Sequence, residues 1–472
     1  MNGKELIAAT FRHERTGAVP WVPFAGVHAG KLVGYSATEV YSDPEKLTAS
    51  LLEAHRLYRP DGQPVMFDLQ LEAEALGCEL LWSEDAPPTV RSHPLEGDGG
   101  FDGGAGSGRA AGAGGAAGQS GERVPDRVPG PDDGRIGLAL QATRVLKEAV
   151  GAETAIYGLF CGPFTLASHL RGTSMFMDMF DDPDYVHALL DYTTRVGEAM
   201  SRYYVDAGAD VIAAVDPLVS QISPDHVAEF LSAPYERLFG RIREAGAFSS
   251  FFVCGDATKN IEEMCKTGPD GISVDENIDL AAAKEITDRY NIVMAGNIPL
   301  ASVMLFGNQK DNMKTVIDLL DTVDHHNLIV SPGCDMPYDT PPENTVGCEQ
   351  AVHATERTRS LVATYTRELP DIEVELPDYG NLPRPLVEVF TIDSDTCAAC
   401  TYMFQSALDA RREYGDGIDV VEYKATNLEN IVRAQKVGVT QLPSIYINGE
   451  LKFSSIIPSR EALNRAIEEA RE

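Results

Sequence analysis

The sequence predicts an α/β protein, a parallel (β/α)8 barrel of the TIM type followed by a smaller α/β unit. Three observations predict it. Short β-rich runs alternate with amphipathic helical stretches over residues 1 to about 360. Polar and reactive residues recur just past those runs. A Pro-, Asp- and Glu-rich stretch then precedes a fresh β-α-β-α-β-β-α pattern.

The strands are expected at 64–69, 154–160, 210–215, 249–254, 271–274, 292–295 and 327–331, with 21–27 as a further one. Helices are expected between them, among them 183–207, 224–245 and 280–290. Strand-helix alternation implies right-handed βαβ crossovers and a parallel sheet. About eight such units fit a closed barrel better than an open doubly wound sheet. No Gly-x-Gly-x-x-Gly follows an early strand, which also counts against a dinucleotide fold.

The strand ends carry the chemistry. Cys161-Gly162-Pro163, Asp216-Pro217, Cys254-Gly255-Asp256, Asp275-Glu276, Gly296-Asn297 and Pro332-Gly333-Cys334 each follow a strand. In a parallel barrel these positions open on one rim, the C-terminal face, where such barrels place their active sites.

Residues at about 96–133 break the pattern. They are rich in Gly and Ala and poor in large apolar side chains, so they are expected as a flexible insertion in a barrel unit of residues 1–365. Residues 366–384 read as a linker, and 385–472 as the second unit. Its strands are expected at 386–391, 418–424, 444–447 and 451–455, and its helices at 397–414, 428–437 and 459–471.

Composition narrows the function. The formal net charge of −33 argues against nucleic-acid binding, which requires clustered Lys and Arg. No apolar run is long enough to span a membrane, and residues 1–15 carry no signal-peptide core, so a cytoplasmic location is expected. Eight cysteines in 472 residues do not make a disulfide scaffold. Cys78, Cys161, Cys265 and Cys348 read as small buried apolar residues.

Cys397-Ala398-Ala399-Cys400 falls where a strand gives way to a helix. A helix N-terminus lowers a thiol's pKa, and Cys400, one turn on, is placed to resolve a mixed disulfide. Half of a zinc site is the competing reading, but no second Cys pair accompanies it in this unit.

Residues 1 to about 360 resemble the uroporphyrinogen decarboxylase superfamily, more closely its methylcobamide:coenzyme M methyltransferase branch. The resemblance is carried by Phe67-Asp68-Leu69, Glu72-Ala73-Glu74-Ala75-Leu76-Gly77, Gly162-Pro163-Phe164-Thr165-Leu166-Ala167, Gly208-Ala209-Asp210, Asp216-Pro217, Cys254-Gly255-Asp256, Ser273-Val274-Asp275 and Gly296-Asn297-Ile298. Residues from about 385 resemble thioredoxin and glutaredoxin-like proteins, through the Cys-x-x-Cys and Gln441-Leu442-Pro443-Ser444, where Pro443 matches the family's cis-proline.

The first resemblance implies a corrinoid-dependent methyltransferase. It would move a methyl group between a separate corrinoid protein, which carries the methylcobamide, and a thiol or small methylated substrate. It implies zinc held by a His-x-Cys element and a later Cys. The cysteines match Cys254 and Cys334, whereas the histidine position is Phe252, so Glu276 or Asp216 would have to supply a third ligand. Porphyrinogen decarboxylation is not expected, because the region 21–31 lacks the arginines of those enzymes.

Asp216, Asp275, Asn297 and His28 are candidates for gripping the substrate, although lone carboxylates more often cap helices or lie on the surface. Glu72 and Glu74 suit a salt bridge as well as catalysis. Two other readings stay open. Cys254 and Cys334 could form a redox pair reduced by Cys397 and Cys400. The chain could also be a non-catalytic ligand-binding scaffold.

Overall fold

The computed structural model describes residues 1–96, 124–367, 372–394 and 398–471. Most of the Gly/Ala-rich insertion, part of the expected linker, and Cys397 lie outside them.

Seven parallel strands form one sheet in chain order. They are β1 (Gly62–Pro64), β2 (Ala155–Cys161), β3 (Val211–Val215), β4 (Phe248–Val253), β5 (Gly271–Val274), β6 (Val293–Ile298) and β7 (Leu328–Pro332). Trp21 joins the two edges. Val22 N donates to Val330 O at 3.0 Å, and Asp61 N donates to Trp21 O at 2.9 Å. The sheet therefore curls back on itself in the manner of a TIM-type barrel. The segment expected as a strand at 21–27 supplies only this one-residue bridge.

Strands covered on both faces must be apolar throughout, and β3 (VIAAV) is buried along its whole length. Val22, Phe24, Phe67, Tyr157, Phe252 and Ile329 pack together in one of the chain's two barrel clusters, so the strands enclose a packed core rather than a pore. The expected strand at 64–69 is shorter and earlier, at Gly62–Pro64. Just beyond it Val65 N still donates to Tyr157 O at 3.1 Å, and Asp68 pairs with Arg135.

The helices follow local signals. α1 (Pro163–Arg171) begins at Pro163, whose fixed φ suits the first helical turn. α2 (Pro183–Ala207) is capped by the Asp182 side chain, which accepts from Tyr185 N at 3.2 Å. It ends at Gly208 with φ +112°, a left-handed stop that glycine takes without strain. The helix expected over 224–245 comes in pieces, with a π-helical turn at Val227–Leu231 ahead of Ser232–Glu244.

The C-terminal unit has the expected element order. β8 (Leu386–Thr391), α3 (Ala398–Tyr414), β9 (Asp419–Lys424), α4 (Leu428–Val437), β10 (Ser444–Ile447), β11 (Glu450–Ser454) and α5 (Arg460–Glu469) follow one another. The sheet order is β9-β8-β10-β11, with β8 and β9 parallel and the other pairs antiparallel. Val387, Val389, Met403, Ala407, Ile445, Ile447, Leu463 and Ile467 give it a core of its own. The Leu442–Pro443 peptide is cis. No helix among the described residues is long and apolar enough to cross a membrane.

Candidate functional site: a sulfur pair at the barrel rim

Cys254 immediately follows β4 and Cys334 follows β7, so parallel strand direction delivers both to the same rim. Their Sγ atoms lie 2.6 Å apart. That is close contact, yet longer than the roughly 2.05 Å of an S–S bond. Cys254 is buried and Cys334 partly so. The Cys254 sulfur pulls the Cys334 pKa down, while burial and the neighbouring Asp335 outweigh it and leave the thiol above its ordinary value.

Phe252 points into the barrel and packs against Phe24 and Phe67, with ring centroids 4.9 and 5.6 Å away. An apolar ring therefore fills the place where the resemblance implies a histidine. Glu276 is not gathered to the sulfurs. Its Oε1 accepts from Leu300 N at 3.1 Å, and its Oε2 faces Gly333. Among the described residues no three His, Cys, Asp or Glu side chains are placed to hold a metal. Two sulfurs alone do not fit a catalytic zinc, which takes three protein ligands.

Asp216 is fully buried and bound on every side. It accepts from Phe164 N and Thr165 N at 2.9 Å each, from Thr165 Oγ1 at 2.5 Å, and from the Tyr235 hydroxyl. Burial nevertheless raises its pKa to about 6. It ties the start of α1 to the end of β3. Asp275 accepts from Gly255 N and from Asn277 Nδ2, and so fixes the peptide beside Cys254. Burial raises the pKa of Asp275 to about 6, with Asp256 adding to it, and burial together with the charge of Asp275 raises that of Glu276 to about 8.

Asn297 donates from Nδ2 to Asp275 O at 2.8 Å and Ile278 O at 2.7 Å. His28 is buried between the Tyr58 hydroxyl at 2.7 Å and Tyr338 O at 3.0 Å, and burial lowers its pKa to about 4. These four side chains brace the rim through bonds within the protein. Cys400 is buried in α3, and its motif partner Cys397 lies outside the described residues. Cys78, Cys161, Cys265 and Cys348 are buried with raised thiol pKa values, as small apolar residues would be.

Two groups escape sequence reasoning. Asp335 is half-buried beside Cys334, its pKa pushed well up by loss of water around the carboxylate, and a Cβ at Gly26 would overlap that group. Arg135 bridges Asp68 and Glu74, the latter at 2.7 Å. The clue for Asp335 is its place directly after the last rim cysteine. Arg135 carries none, since it stands just past the low-complexity stretch.

The chain is similar to several methyltransferases. Methylcobamide:CoM methyltransferase MtbA of Methanosarcina acetivorans is 28% identical over 348 residues, covering 72% of this chain and 94% of the relative. Methylcobamide:CoM methyltransferase MtaA of Methanosarcina barkeri is 28% identical over 326 residues, covering 66% of this chain and 85% of the relative. A methyltransferase structure from Methanosarcina mazei superposes with a TM-score of 0.66 at 24% identity, covering 75% of this chain and 99% of that one. The family model described as Uroporphyrinogen decarboxylase (URO-D) matches residues 2–99 and 121–355, and the chain belongs to that family.

Proposed function

We propose that this chain is a corrinoid-dependent methyltransferase, with Cys254 and Cys334 at its centre. It moves a methyl group between a corrinoid protein and a thiol or small methylated substrate, in the cytoplasm. The observation that carries this reading is the meeting of the two sulfurs at the rim. Its support is the run of methyltransferases similar over nearly their whole length.

When bound on its separate protein, the methylcobamide would supply an electrophilic methyl group, and the substrate that exchanges it would meet it at the rim beside Cys254 and Cys334. Only a thiolate is a good nucleophile, and a hydrogen bond between the two sulfurs would let either one support a charge on the other once a proton is lost. Asp275 and Asn297 keep the Cys254 loop in place, and Asp216 anchors the neighbouring strand end.

We further read residues 1–365 as the catalytic barrel, 366–384 as a linker and 385–472 as a thioredoxin-like domain. Its β9-β8-β10-β11 order supports that reading. Cys397 and Cys400 are its redox pair. The absence of arginine over residues 21–31 speaks against porphyrinogen decarboxylation.

The test is transfer from methylcobalamin to a panel of small thiols, followed by the cobalamin spectrum. Cys254→Ser and Cys334→Ser should each lower the rate at least about 100-fold with the melting curve retained. Full rates in both variants would remove the sulfur pair from the mechanism.

A further inference from the structure

The C-terminal unit is seated on the barrel rim. Gln441 Nε2 donates to Asp256 Oδ2, and Leu442 N donates to Asn277 Oδ1 at 3.4 Å. Elsewhere along the same face the two units enclose a polar cleft of about 370 Å³. Small-molecule pockets run from roughly 300 to 1,000 Å³. Gln70, Arg91, Glu96 and His169 line it from the barrel, and Tyr402 and Arg412 from α3. Neither Cys254 nor Cys334 is among its walls.

Both walls are held in place. Leu95 N donates to Leu170 O at 2.9 Å, Arg171 Nη1 donates to Leu95 O at 2.6 Å, and His93 Nδ1 donates to His169 O at 2.8 Å. These bonds stitch residues 93–95 to the end of α1, and Arg91 and Glu96 flank that stitched segment. On the other side Tyr402 is buried, with its hydroxyl 3.0 Å from Ser168 Oγ and its ring edge-on to Phe176. Burial pushes the Tyr402 pKa up, and the charge of Glu96 adds to it, so that carboxylate faces α3.

Three polar groups of the cleft are open to a ligand. Gln70 is 8% exposed, and its Oε1 has no hydrogen-bond donor among the described residues. Leaving a buried amide oxygen without a donor costs free energy. Arg91 and Glu96 form no ion pair among the described residues, so each keeps its charge available. Arg412 does not, because it pairs with Asp409 at 2.6 Å. His169 adds a neutral imidazole, since burial lowers its pKa to about 3.

We propose that this cleft binds an α-amino acid or a zwitterion of that size. The ligand's carboxylate accepts from the Arg91 guanidinium, which offers two parallel donors. Its ammonium meets Glu96, and one of its N–H or O–H groups satisfies Gln70 Oε1. The site goes beyond the methyl-transfer reading and uses none of the residues assigned to it. Because the walls come from both units, the ligand binds only while they are docked, and binding favours the docked form in return.

The experiment is calorimetric titration of the full chain with each standard L-amino acid in turn. Sodium acetate and methylammonium chloride, which carry one charge each, are the controls. At least one amino acid should bind about tenfold or more tightly than either control, the worth of a second charged hydrogen bond. At saturation it should raise the melting temperature by at least about 2 °C. Arg91→Ala and Glu96→Gln should each weaken binding about tenfold with the unliganded melting curve retained. Tyr402→Ala, which takes away the α3 wall, should abolish it. Binding by none of the amino acids, or acetate binding as tightly as they do, would overturn the proposal. Unchanged affinity in Arg91→Ala or in Tyr402→Ala would overturn it as well.

Discussion

Glu72 is a carboxylic acid with almost no access to water, and burial raises its pKa to about 8. The folded chain therefore holds that proton far more tightly than the unfolded chain, whose Glu titrates near pH 4.3. The stabilisation is complete below that pH and is lost as pH rises through about 8. Glu72→Gln does not titrate. Its melting temperature should gain on the parent steadily between pH 5 and 9, as read by calorimetry; a constant offset would contradict a buried neutral acid. Tyr235 tells the complementary story. Its hydroxyl is one of four donors to buried Asp216. Tyr235→Phe should cost roughly 1–3 kcal/mol in urea unfolding, the usual loss when a buried acceptor goes short of a partner.

At the scale of elements, the strand-to-loop junctions decide where the sulfurs sit. Gly333 separates β7 from Cys334. A Cβ on it would lie 2.5 Å from Glu276 Oε2 and 2.9 Å from the Glu276 backbone N, so main chain would have to move. Gly333→Ala should shift Cys334 off its partner and lower methyl transfer at least tenfold, with a smaller change in melting temperature. Unchanged transfer would show that the junction tolerates displacement.

The same junctions explain what the sequence made legible. β5 and α2 fall where apolar runs and caps put them, because the signals are local: an unbroken GISV run, Asp182 with Pro183, and Gly208. β1 does not. It covers only Gly62–Pro64, and the long-range ion pair of nearby Asp68 with Arg135 is likewise something no periodicity encodes. The meeting of Cys254 and Cys334 was readable once strand direction was known, whereas the side chain filling the space beside them was readable only as Phe252. The half-buried setting of Asp335, and the use of Asp216, Asn297 and His28 as braces, depend on packing across the rim, which a linear sequence does not display.

At the scale of the molecule, Tyr402 is the main apolar anchor of the C-terminal unit on the barrel. Tyr402→Ala should release that unit from the rim at a cost of roughly 3 kcal/mol to docking. Limited proteolysis should then cut within 372–385 faster than in the parent; equal cleavage rates would mean that the polar contacts alone hold it. The acidic surface, at net charge −33, keeps the whole assembly away from polyanions and soluble at high concentration.

The one-residue bridge at Trp21 has a temporal side. Its hydrogen-bond partner Val330 is among the last barrel residues to leave the ribosome, so the first strand position waits through nearly the whole of synthesis before its seam can zip. Residues 398–471 emerge later still. They are made only after every strand of the barrel sheet has been synthesised.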